Sequence, residues 1–271
     1  MMRLALAGEI ATVLDWAAAE GWNPGRDDAA AFHAADPAGF FVAERDGAPV
    51  AAISVVNHAP DMAFLGLYLC LPDWRGQGIG FALWQHALAH AGGRTVGLDG
   101  VAAQQANYAK SGFAHAGASV RYEGTLAGAH SSDVRPAAPA DLPVIEALDR
   151  AANGYARPAF LAAWTTPTET RRTFLLEDGT GFATVRACRD GVKIGPIVAP
   201  DHSAALVLAR AALGVLPAER AVIDLPASNR ALADVLERLG FVETFATARM
   251  YRGAAPKVSH TLQAIATMEL G

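Results

Sequence analysis

The fold of this chain is decided by the stretch Leu67-Tyr68-Leu69-Cys70-Leu71-Pro72-Asp73-Trp74-Arg75-Gly76-Gln77-Gly78-Ile79-Gly80. An apolar, strand-like run ends at a proline, and an arginine with three alternating glycines opens a helical pattern. Glycines at such a turn let a ligand approach backbone N–H groups, and the positive end of the helix dipole favours a phosphate there. Glycine-rich turns are common, so the stretch taken alone fits either a plain turn or a phosphate-binding one.

Two other phosphate-binding motifs fit this turn less well. A Walker loop needs a lysine after its glycines, and a dinucleotide fingerprint needs its third glycine one residue later. The turn resembles the pyrophosphate loop of the GNAT acyltransferase superfamily, Arg/Gln-x-x-Gly-x-Gly/Ala, which Arg75, Gly78 and Gly80 match without a gap. The resemblance implies that the chain uses an acyl-coenzyme A as cosubstrate, with acetyl-CoA favoured.

The downstream sequence extends this resemblance. A short strand ending at Asp99 is followed by a helical segment that stops at Gly112-Phe113, where Gly112 suits a left-handed C-cap. In GNAT proteins a helix that carries a tyrosine and ends in Gly-Phe lies beside the departing coenzyme, and Tyr108 holds that place here. The asparagine that the family often has twelve residues before the phenylalanine is replaced by Val101.

The composition is that of a globular protein with a sizeable core. Apolar residues make up 52% of the 271 residues and charged residues 18%, and this length allows two domains. The net charge of −5 argues against non-specific nucleic-acid binding, which needs a basic surface. Because no apolar run is long enough for a membrane span or a secretory signal, we expect a cytoplasmic protein without membrane contact.

The chemistry-bearing side chains give no pattern of a metal site. The eight histidines are scattered, and Cys70 and Cys188 have no metal-type or redox-type neighbour. A free cysteine in an apolar run is usually a small buried hydrophobe. Cys70 lies in the strand that would face the thioester, so a role as an acyl-accepting nucleophile stays open beside the structural one.

The second half of the chain repeats landmarks of the first. Gly112-Phe113 returns as Gly240-Phe241 after 128 positions, and the strand-ending Asp99 returns as Asp224 after 125. Such spacing predicts duplicated domains. We therefore expect an α/β (α+β) fold with two tandem GNAT-like domains, each a central mixed β-sheet flanked by helices. The predicted ranges are 1–128 for the domain with the acyl-CoA site, 129–139 for a linker, and 140–271 for a degenerate domain.

The two copies differ at the coenzyme turn. The second copy reads Ala199-Pro200-Asp201-His202-Ser203, without a glycine and with an aspartate that would repel a pyrophosphate. It has Leu236 in place of the tyrosine, although it keeps Asn229 at the family's asparagine position. This asymmetry resembles a tandem-GNAT subfamily whose C-terminal domain is divergent. A last apolar run, 262–270, predicts a further strand whose place in the sheet the pattern does not give.

The resemblance assigns roles to residues of the first copy. Backbone N–H groups around Leu69 to Leu71 would hold the pantetheine arm and the acyl oxygen, and Tyr108 would donate to the leaving thiolate. The N–H groups of Gln77 to Phe81 would bind the pyrophosphate, with help from Arg75. The predicted coenzyme-binding residues are Leu69, Cys70, Leu71, Arg75, Gly76, Gln77, Gly78, Ile79, Gly80 and Phe81.

The residues that would bind the acceptor and remove its proton are less well defined by the sequence. An alkyl ammonium has a pKa of about 10, so a base or a water chain must deprotonate it near neutrality. The candidate bases are Glu20, Asp27, Asp28, His58, Asp61 and Asp99, each of which also fits a cap, turn or solvated position. The candidate acceptor-pocket residues are Glu20, Trp22, Asn23 and Asp99, because an aromatic wall beside carboxylates suits a small cationic amine.

These features together predict an acyl-CoA-dependent N-acyltransferase. It would transfer an acyl group to the amine of a small molecule by direct attack, without a covalent enzyme intermediate and without a metal. The alternative is a catalytically silent acyl-CoA-binding sensor or regulatory module, which the missing family asparagine leaves open. The sequence names neither the acceptor, the acyl chain length nor an oligomeric state.

Overall fold

The computed structural model describes residues 1–271, with eight helices and thirteen strands. The helices are α1 (Ala7–Ala19), α2 (Asp28–Ala35), α3 (Ile79–Leu88), α4 (Gln105–Lys110), α5 (Leu142–Asn153), α6 (Pro158–Thr165), α7 (His202–Val215) and α8 (Arg230–Arg238). The strands of the first half are β1 (Met2–Leu4), β2 (Phe40–Arg45), β3 (Ala48–Asn57), β4 (Met62–Cys70), β5 (Thr95–Gly100) and β6 (Ala114–Gly124). Those of the second half are β7 (Val134–Pro136), β8 (Arg171–Leu176), β9 (Phe182–Ala187), β10 (Val192–Val198), β11 (Ala221–Pro226), β12 (Val242–Arg252) and β13 (Leu262–Ala264).

The strands form one continuous mixed sheet in the order β1-β2-β3-β4-β5-β12-β6-β11-β10-β9-β8-β7, and β13 pairs with β10. The two halves exchange their long terminal strands. β12 of the second half lies antiparallel between β5 and β6, while β6 of the first half pairs with β11. The predicted mixed sheets flanked by helices are therefore confirmed, with the difference that they are joined. Joining them removes two exposed strand edges.

The predicted linker contains a short edge strand. Within 129–139, residues Val134–Pro136 form β7 and pair antiparallel with β8, as β1 pairs with β2 in the first half. The sequence did not predict this three-residue strand, because the surrounding segment is rich in serine and proline, which favour turns. The domain boundaries themselves stay a prediction.

A bulge and a splay in β4 create the opening that the site uses. Ser54 pairs with Gly66 but Ala52 pairs with Leu69, so two residues of β4 face one of β3. Leu67, one of these two residues, has a left-handed backbone conformation with φ 47°. This conformation costs free energy for any residue other than glycine. Beyond Leu65 the parallel pairing of β4 with β5 stops, and the strands separate.

The corresponding opening in the second half is filled by the chain itself. The parallel pairing of β10 with β11 covers only two residue pairs, after which β13 lies against β10 in antiparallel register. The Ile265 amide donates to the carbonyl of Asp224 in β11 at 2.9 Å. A Cβ at Gly195 of β10 would overlap the Ile265 carbonyl oxygen, so the glycine allows the close approach. The predicted last strand therefore exists, although it is three residues long.

Buried ion pairs connect the first half to the second. Asp28 at the start of α2 pairs with Arg171 at 2.9 Å and with Arg186 at 3.3 Å, and all three side chains are buried. Both guanidinium groups also lie over the Trp164 ring, at 4.4 and 4.5 Å from its centre. Asn23 adds a second link, since its side-chain amide exchanges hydrogen bonds with the backbone of Asp190. No helix of the chain combines the length and apolar character that crossing a membrane requires.

Candidate active site

The glycine turn before α3 has a backbone that only glycine adopts easily. Gly76 and Gly78 both have φ of 75°, in the left-handed region. Gly80 is needed for a different reason, because a Cβ there would lie 2.8 Å from the Tyr68 hydroxyl oxygen. The three alternating glycines of the motif thus form the turn and let β4 pack closely against the first turn of α3.

The N–H groups of Gln77 to Phe81 make no hydrogen bond within the protein. No side chain caps α3, and its first turn contains no acidic residue. The first amides of a helix have no intrahelical partner, and the helix dipole makes this end positive. The turn therefore presents a row of unused donors to solvent, which is what a bound phosphate requires.

The equivalent turn of the second half is closed by its own side chain. The Asp201 carboxylate accepts hydrogen bonds from the amides of Ser203 at 2.8 Å and Ala204 at 2.9 Å at the start of α7. Leu236, in the position of Tyr108, is fully buried. Asn229 caps α8 and donates to Gln263 of β13. The amides of Ser203 and Ala204, which a phosphate would need at this helix start, therefore already have Asp201 as their partner.

The edge of β4 offers fewer free amides than the sequence implied. The Leu71 amide donates to the Val50 carbonyl at 2.9 Å, so the expectation that it faces the coenzyme is wrong. Alternate residues of a strand direct their N–H groups to opposite edges. The Leu69 amide therefore also faces β3, and the amide of Cys70 faces the edge that β5 has left. Burial raises the pKa of the Cys70 thiol, and this side chain lines neither of the two cavities described next.

Two cavities meet at the splay between β4 and β5. The outer one, about 870 Å³, runs between α3 and α4, and the inner one, about 310 Å³, lies between the two halves. Three residues line both cavities: Tyr68, Gln104 and Tyr108. A molecule in the outer groove and a molecule in the inner cavity would therefore touch each other beside these two tyrosines.

Tyr108 is held by ring packing and not by its hydroxyl group. Its ring stacks on Trp84 with centres 5.2 Å apart, and Tyr68 meets the same indole edge-on at 5.3 Å. Burial raises the pKa of both tyrosine hydroxyls, so they are protonated at neutral pH. Neither hydroxyl bonds another residue of the protein. No sequence pattern marks Tyr68 as a site residue beyond its place in the strand before the turn.

The inner cavity has an apolar side and a side of charged groups. Of the predicted acceptor-pocket residues, Glu20, Trp22 and Asp99 line it and Asn23 does not. The apolar lining includes Leu65, Leu67, Leu98, Val101, Phe245 and Met268. The remaining charged lining residues are Arg121, Glu123, Arg220 and Glu269. The second half supplies several of these, which the sequence could not assign to a site in the first.

Asp99 is an ion-pair partner and not a free base. The Arg249 guanidinium of β12 donates two hydrogen bonds to the Asp99 carboxylate, at 2.9 and 2.6 Å, and the Ser119 hydroxyl donates a third at 3.0 Å. Its side chain is fully buried. The strand exchange explains this, because β12 lies next to β5 and brings Arg249 against the aspartate.

The other candidate bases lie outside the inner cavity. Asp27 accepts hydrogen bonds from Thr168 and Thr170, which lower its pKa, and Asp28 is enclosed by the two arginines. His58 is buried, its Nε2 lies 2.8 Å from the Leu270 carbonyl oxygen, and burial lowers its pKa to about 4. Asp61 is exposed in a turn. The prediction that one of these four serves as the base is not supported by their positions.

Glu20, which lines the inner cavity, pairs with Arg75 at the protein surface. The Arg75 guanidinium lies 2.5 Å from the Glu20 carboxylate, and its Nε donates to the Cys70 carbonyl at 2.8 Å. About half of the arginine side chain is exposed, so this pair is worth at most about 1 kcal/mol. An anion at the glycine turn could therefore attract Arg75 at little cost.

The Trp22 loop is fixed by two buried cations. The Trp22 carbonyl oxygen accepts hydrogen bonds from Lys193 at 2.9 Å and from Arg121 at 3.3 Å. Arg121 also makes two hydrogen bonds to Asp224, at 2.7 and 2.9 Å. The loop is thus held against the second half, and Trp22 forms a fixed wall of the inner cavity. No group of three or more histidine, cysteine, aspartate or glutamate side chains is arranged to hold a metal ion.

Comparisons with known proteins agree with this architecture. The model of the GNAT acetyltransferase family matches residues 9–116, and a model of a GNAT acetyltransferase domain matches residues 145–264. The chain is 36% identical to a holothin acyltransferase from Pseudoalteromonas sp. (strain SANK 73390), over 96% of this chain and 90% of that protein.

Solved structures show the same fold at low sequence identity. A protein described as a putative acetyltransferase from Pyrococcus horikoshii superposes with a TM-score of 0.84 and 20% identity, over 100% of this chain and 95% of the other. A tandem GNAT protein from the clavulanic acid biosynthesis pathway superposes with a TM-score of 0.63 and 18% identity, covering 93% and 97%. Given the two family matches and the relative at 36% identity, this chain belongs to the GNAT acyltransferase family, as a transferase with two GNAT domains in tandem.

Proposed function

We propose that this protein transfers an acyl group, with acetyl favoured, from acyl-coenzyme A to the amine of a small molecule by direct attack. The observation that carries the proposal is the junction of the two cavities beside Tyr108, together with the unpaired amides of the glycine turn, of which Phe81 lines the outer groove. A donor held in the groove and an acceptor held in the inner cavity would meet there without a covalent enzyme intermediate.

The first half supplies the main-chain donors and Arg75 of the coenzyme site in this proposal, while Arg252 of β12 also lines the outer groove. The unpaired amides of Gln77 to Phe81 would bind the pyrophosphate, with Arg75 turning from Glu20 to the phosphates. The Cys70 amide would hold the pantetheine arm at the free edge of β4. The second half would bind no coenzyme, because β13 fills its splay and Asp201 occupies its helix amides.

Tyr108 would act on the sulfur atom. As the amine nitrogen bonds to the acyl carbon, the carbon–sulfur bond breaks and negative charge develops on the sulfur. A thiol has a pKa of about 8.5, well below that of a buried tyrosine, so complete proton transfer from Tyr108 is uphill. We therefore assign Tyr108 the role of a hydrogen-bond donor that stabilises the thiolate, which then takes a proton from solvent.

The size and enclosure of the inner cavity favour a small acceptor. A volume of about 310 Å³ is in the range of small-molecule pockets. The Trp22 wall and the apolar side chains of both halves suit a compact, partly apolar molecule with an amine. The relative at 36% identity is named a holothin acyltransferase, which supports acyl transfer as the reaction.

Isothermal titration calorimetry with acetyl-CoA, followed by thiol release across a panel of primary amines, tests the proposal. Gly78→Ala is the diagnostic variant and Gly179→Ala its matched control, because both glycines have φ near 75° and open space where a Cβ would lie. Both carry a similar backbone strain of about 1–2 kcal/mol. We expect acetyl-CoA to bind at least tenfold more weakly only in Gly78→Ala.

The amine panel separates the proposal from a silent sensor. Thiol release that depends on an amine supports the transferase reaction. Tight coenzyme binding without thiol release from any amine would favour the sensor. Equal coenzyme binding by both glycine variants would contradict the assignment of the turn.

A further inference from the structure

The end of the chain crosses from the second half into the inner cavity of the first. After β13, residues 265–270 leave the splay of β10 and pass under the bulge of β4. A Cβ at Gly66 would overlap the Glu269 carbonyl oxygen, just as a Cβ at Gly195 would overlap that of Ile265. The two glycines are 129 positions apart and occupy equivalent strands, so one segment contacts both splays.

This segment is fixed by its own hydrogen bonds. The Thr267 hydroxyl accepts from the amides of Glu269 at 2.8 Å and Leu270 at 3.1 Å. The Leu270 carbonyl oxygen lies 2.8 Å from His58 Nε2, and both residues are buried. Because the backbone on either side of Glu269 is held, its side chain has a defined direction.

Glu269 differs from the other carboxylates that line the inner cavity. Glu20 pairs with Arg75, Asp99 with Arg249, and Glu123 with Arg220. Glu269 has no cation within ion-pair distance. Its Oε2 accepts a hydrogen bond from the Thr267 hydroxyl at 2.6 Å, and its Oε1 has no partner. The residue is only 7% exposed, and it lines the inner cavity.

Two cations lie near Glu269 without forming an ion pair with it. Arg121 and Lys193 are near enough for their charges to act on it, but their N–H groups are bonded to Asp224 and to the Trp22 carbonyl. Glu269 is therefore a buried carboxylate with one oxygen free of hydrogen-bond partners, on a residue that lines the same cavity as the two tyrosines.

We propose that Glu269 is a catalytic residue that takes the proton from the acceptor's amine nitrogen, an inference that rests on the proposed transferase function. Oε1 first takes one proton from the bound ammonium and passes it to solvent, which leaves a lone pair on the nitrogen. As the nitrogen–carbon bond forms, a second N–H proton passes to Oε1, and the electron pair of the breaking carbon–sulfur bond stays on the sulfur. Glu269 then returns the proton to solvent. The second domain would thus complete the site of the first by supplying its base.

The test is Glu269→Gln in the full chain, with Glu243→Gln as the matched control. Glu243 is an exposed residue of β12 outside both cavities, and the substitution makes the same change of charge. We expect kcat for an alkylamine at pH 7 to fall at least 100-fold in Glu269→Gln, with acetyl-CoA affinity unchanged. Glu243→Gln keeps the wild-type rate.

The pH profile separates a base from a structural role. Without the base only the free amine reacts, so the deficit of Glu269→Gln narrows about tenfold per pH unit towards the amine's pKa of about 10. Damaged packing would instead lower the rate equally at every pH. Glu269→Asp keeps the carboxylate and should recover part of the rate, and acetyl-CoA calorimetry verifies that each variant is folded.

The outcomes for the two proposals are distinct. If the wild type turns over an amine and folded Glu269→Gln has a kcat within threefold of it, the role of Glu269 is refuted and the transferase function stands. A pH-independent deficit, or no recovery in folded Glu269→Asp, also refutes the role of a base. If the wild type releases no thiol with any amine, the transferase proposal fails and the role of Glu269 fails with it.

Discussion

Replacing Tyr108 by phenylalanine removes one hydroxyl and leaves the ring that holds it. The hydroxyl donates to no residue of the protein, and the stacking on Trp84 at 5.2 Å does not depend on it. Deleting a buried hydroxyl that has no protein partner leaves no protein group unsatisfied. We therefore expect the free energy of unfolding to change by less than about 1 kcal/mol.

The catalytic effect of the same change should be much larger. One hydrogen-bond donor aimed at developing charge contributes about 3–4 kcal/mol, which corresponds to a loss of about 10²–10³ in kcat. Because burial raises the pKa of Tyr108 above its ordinary value of about 10, the hydroxyl stays protonated up to that pH. No loss of kcat from tyrosine ionisation should therefore be seen between pH 7 and 10.

Thiol release under saturating acetyl-CoA and amine measures kcat, and urea unfolding measures stability. The matched control is Tyr122→Phe, since Tyr122 is also buried but donates to Glu237 and lines neither cavity. It should lose about 1 kcal/mol of stability and keep its kcat. A kcat for Tyr108→Phe within about twofold of the wild type would show that the hydroxyl does not act on the leaving group.

Three further changes test the structure around the site. Asp28→Asn leaves Arg171 and Arg186 buried without a counter-charge, so urea unfolding should show a loss of about 3–5 kcal/mol; an unchanged midpoint would contradict this. His58 has its pKa lowered to about 4 by burial, against about 6.5 when unfolded, so the unfolded chain binds more protons between these values. Stability should therefore fall as the pH drops from about 6.5 to about 4, and a His58→Asn variant should lack this contribution in urea titrations at each pH. Gly66→Ala puts a Cβ against the Glu269 carbonyl, so kcat should fall at least tenfold while calorimetry shows acetyl-CoA binding retained; unchanged turnover would mean that the segment yields without effect.

The two copies of the fold differ in what occupies the space between their splayed central strands. In the first half the splay of the central strands stays open towards two cavities, while in the second half β13 fills it. The same terminal segment then continues to Gly66 and brings Glu269 to the inner cavity. In the proposed mechanism, the segment that fills the splay of the second half also completes the site of the first.

The sequence alone determined the features that rest on local chemistry. The glycines of 76–80 must form a left-handed turn at a helix start, and the amphipathic pattern of α1 must bury Ile10, Val13, Leu14 and Ala17, as it does. The resemblance to the family rests on such local motifs, and the duplication on the return of landmarks after 125 and 128 positions. The mixed sheets were implied by that resemblance.

Only the tertiary structure decided which residues meet across the two halves. The exchange of β6 and β12 places Arg249 on Asp99. The path of the terminal segment places Glu269 in the same cavity as Glu20, Trp22 and Tyr68, which precede it by about 200 to 250 residues in the sequence. Strand pairing and ion pairing between distant segments leave no periodic trace in the chain. Their partners are selected by the packing of the whole sheet, and a sequence pattern records only what neighbouring residues do.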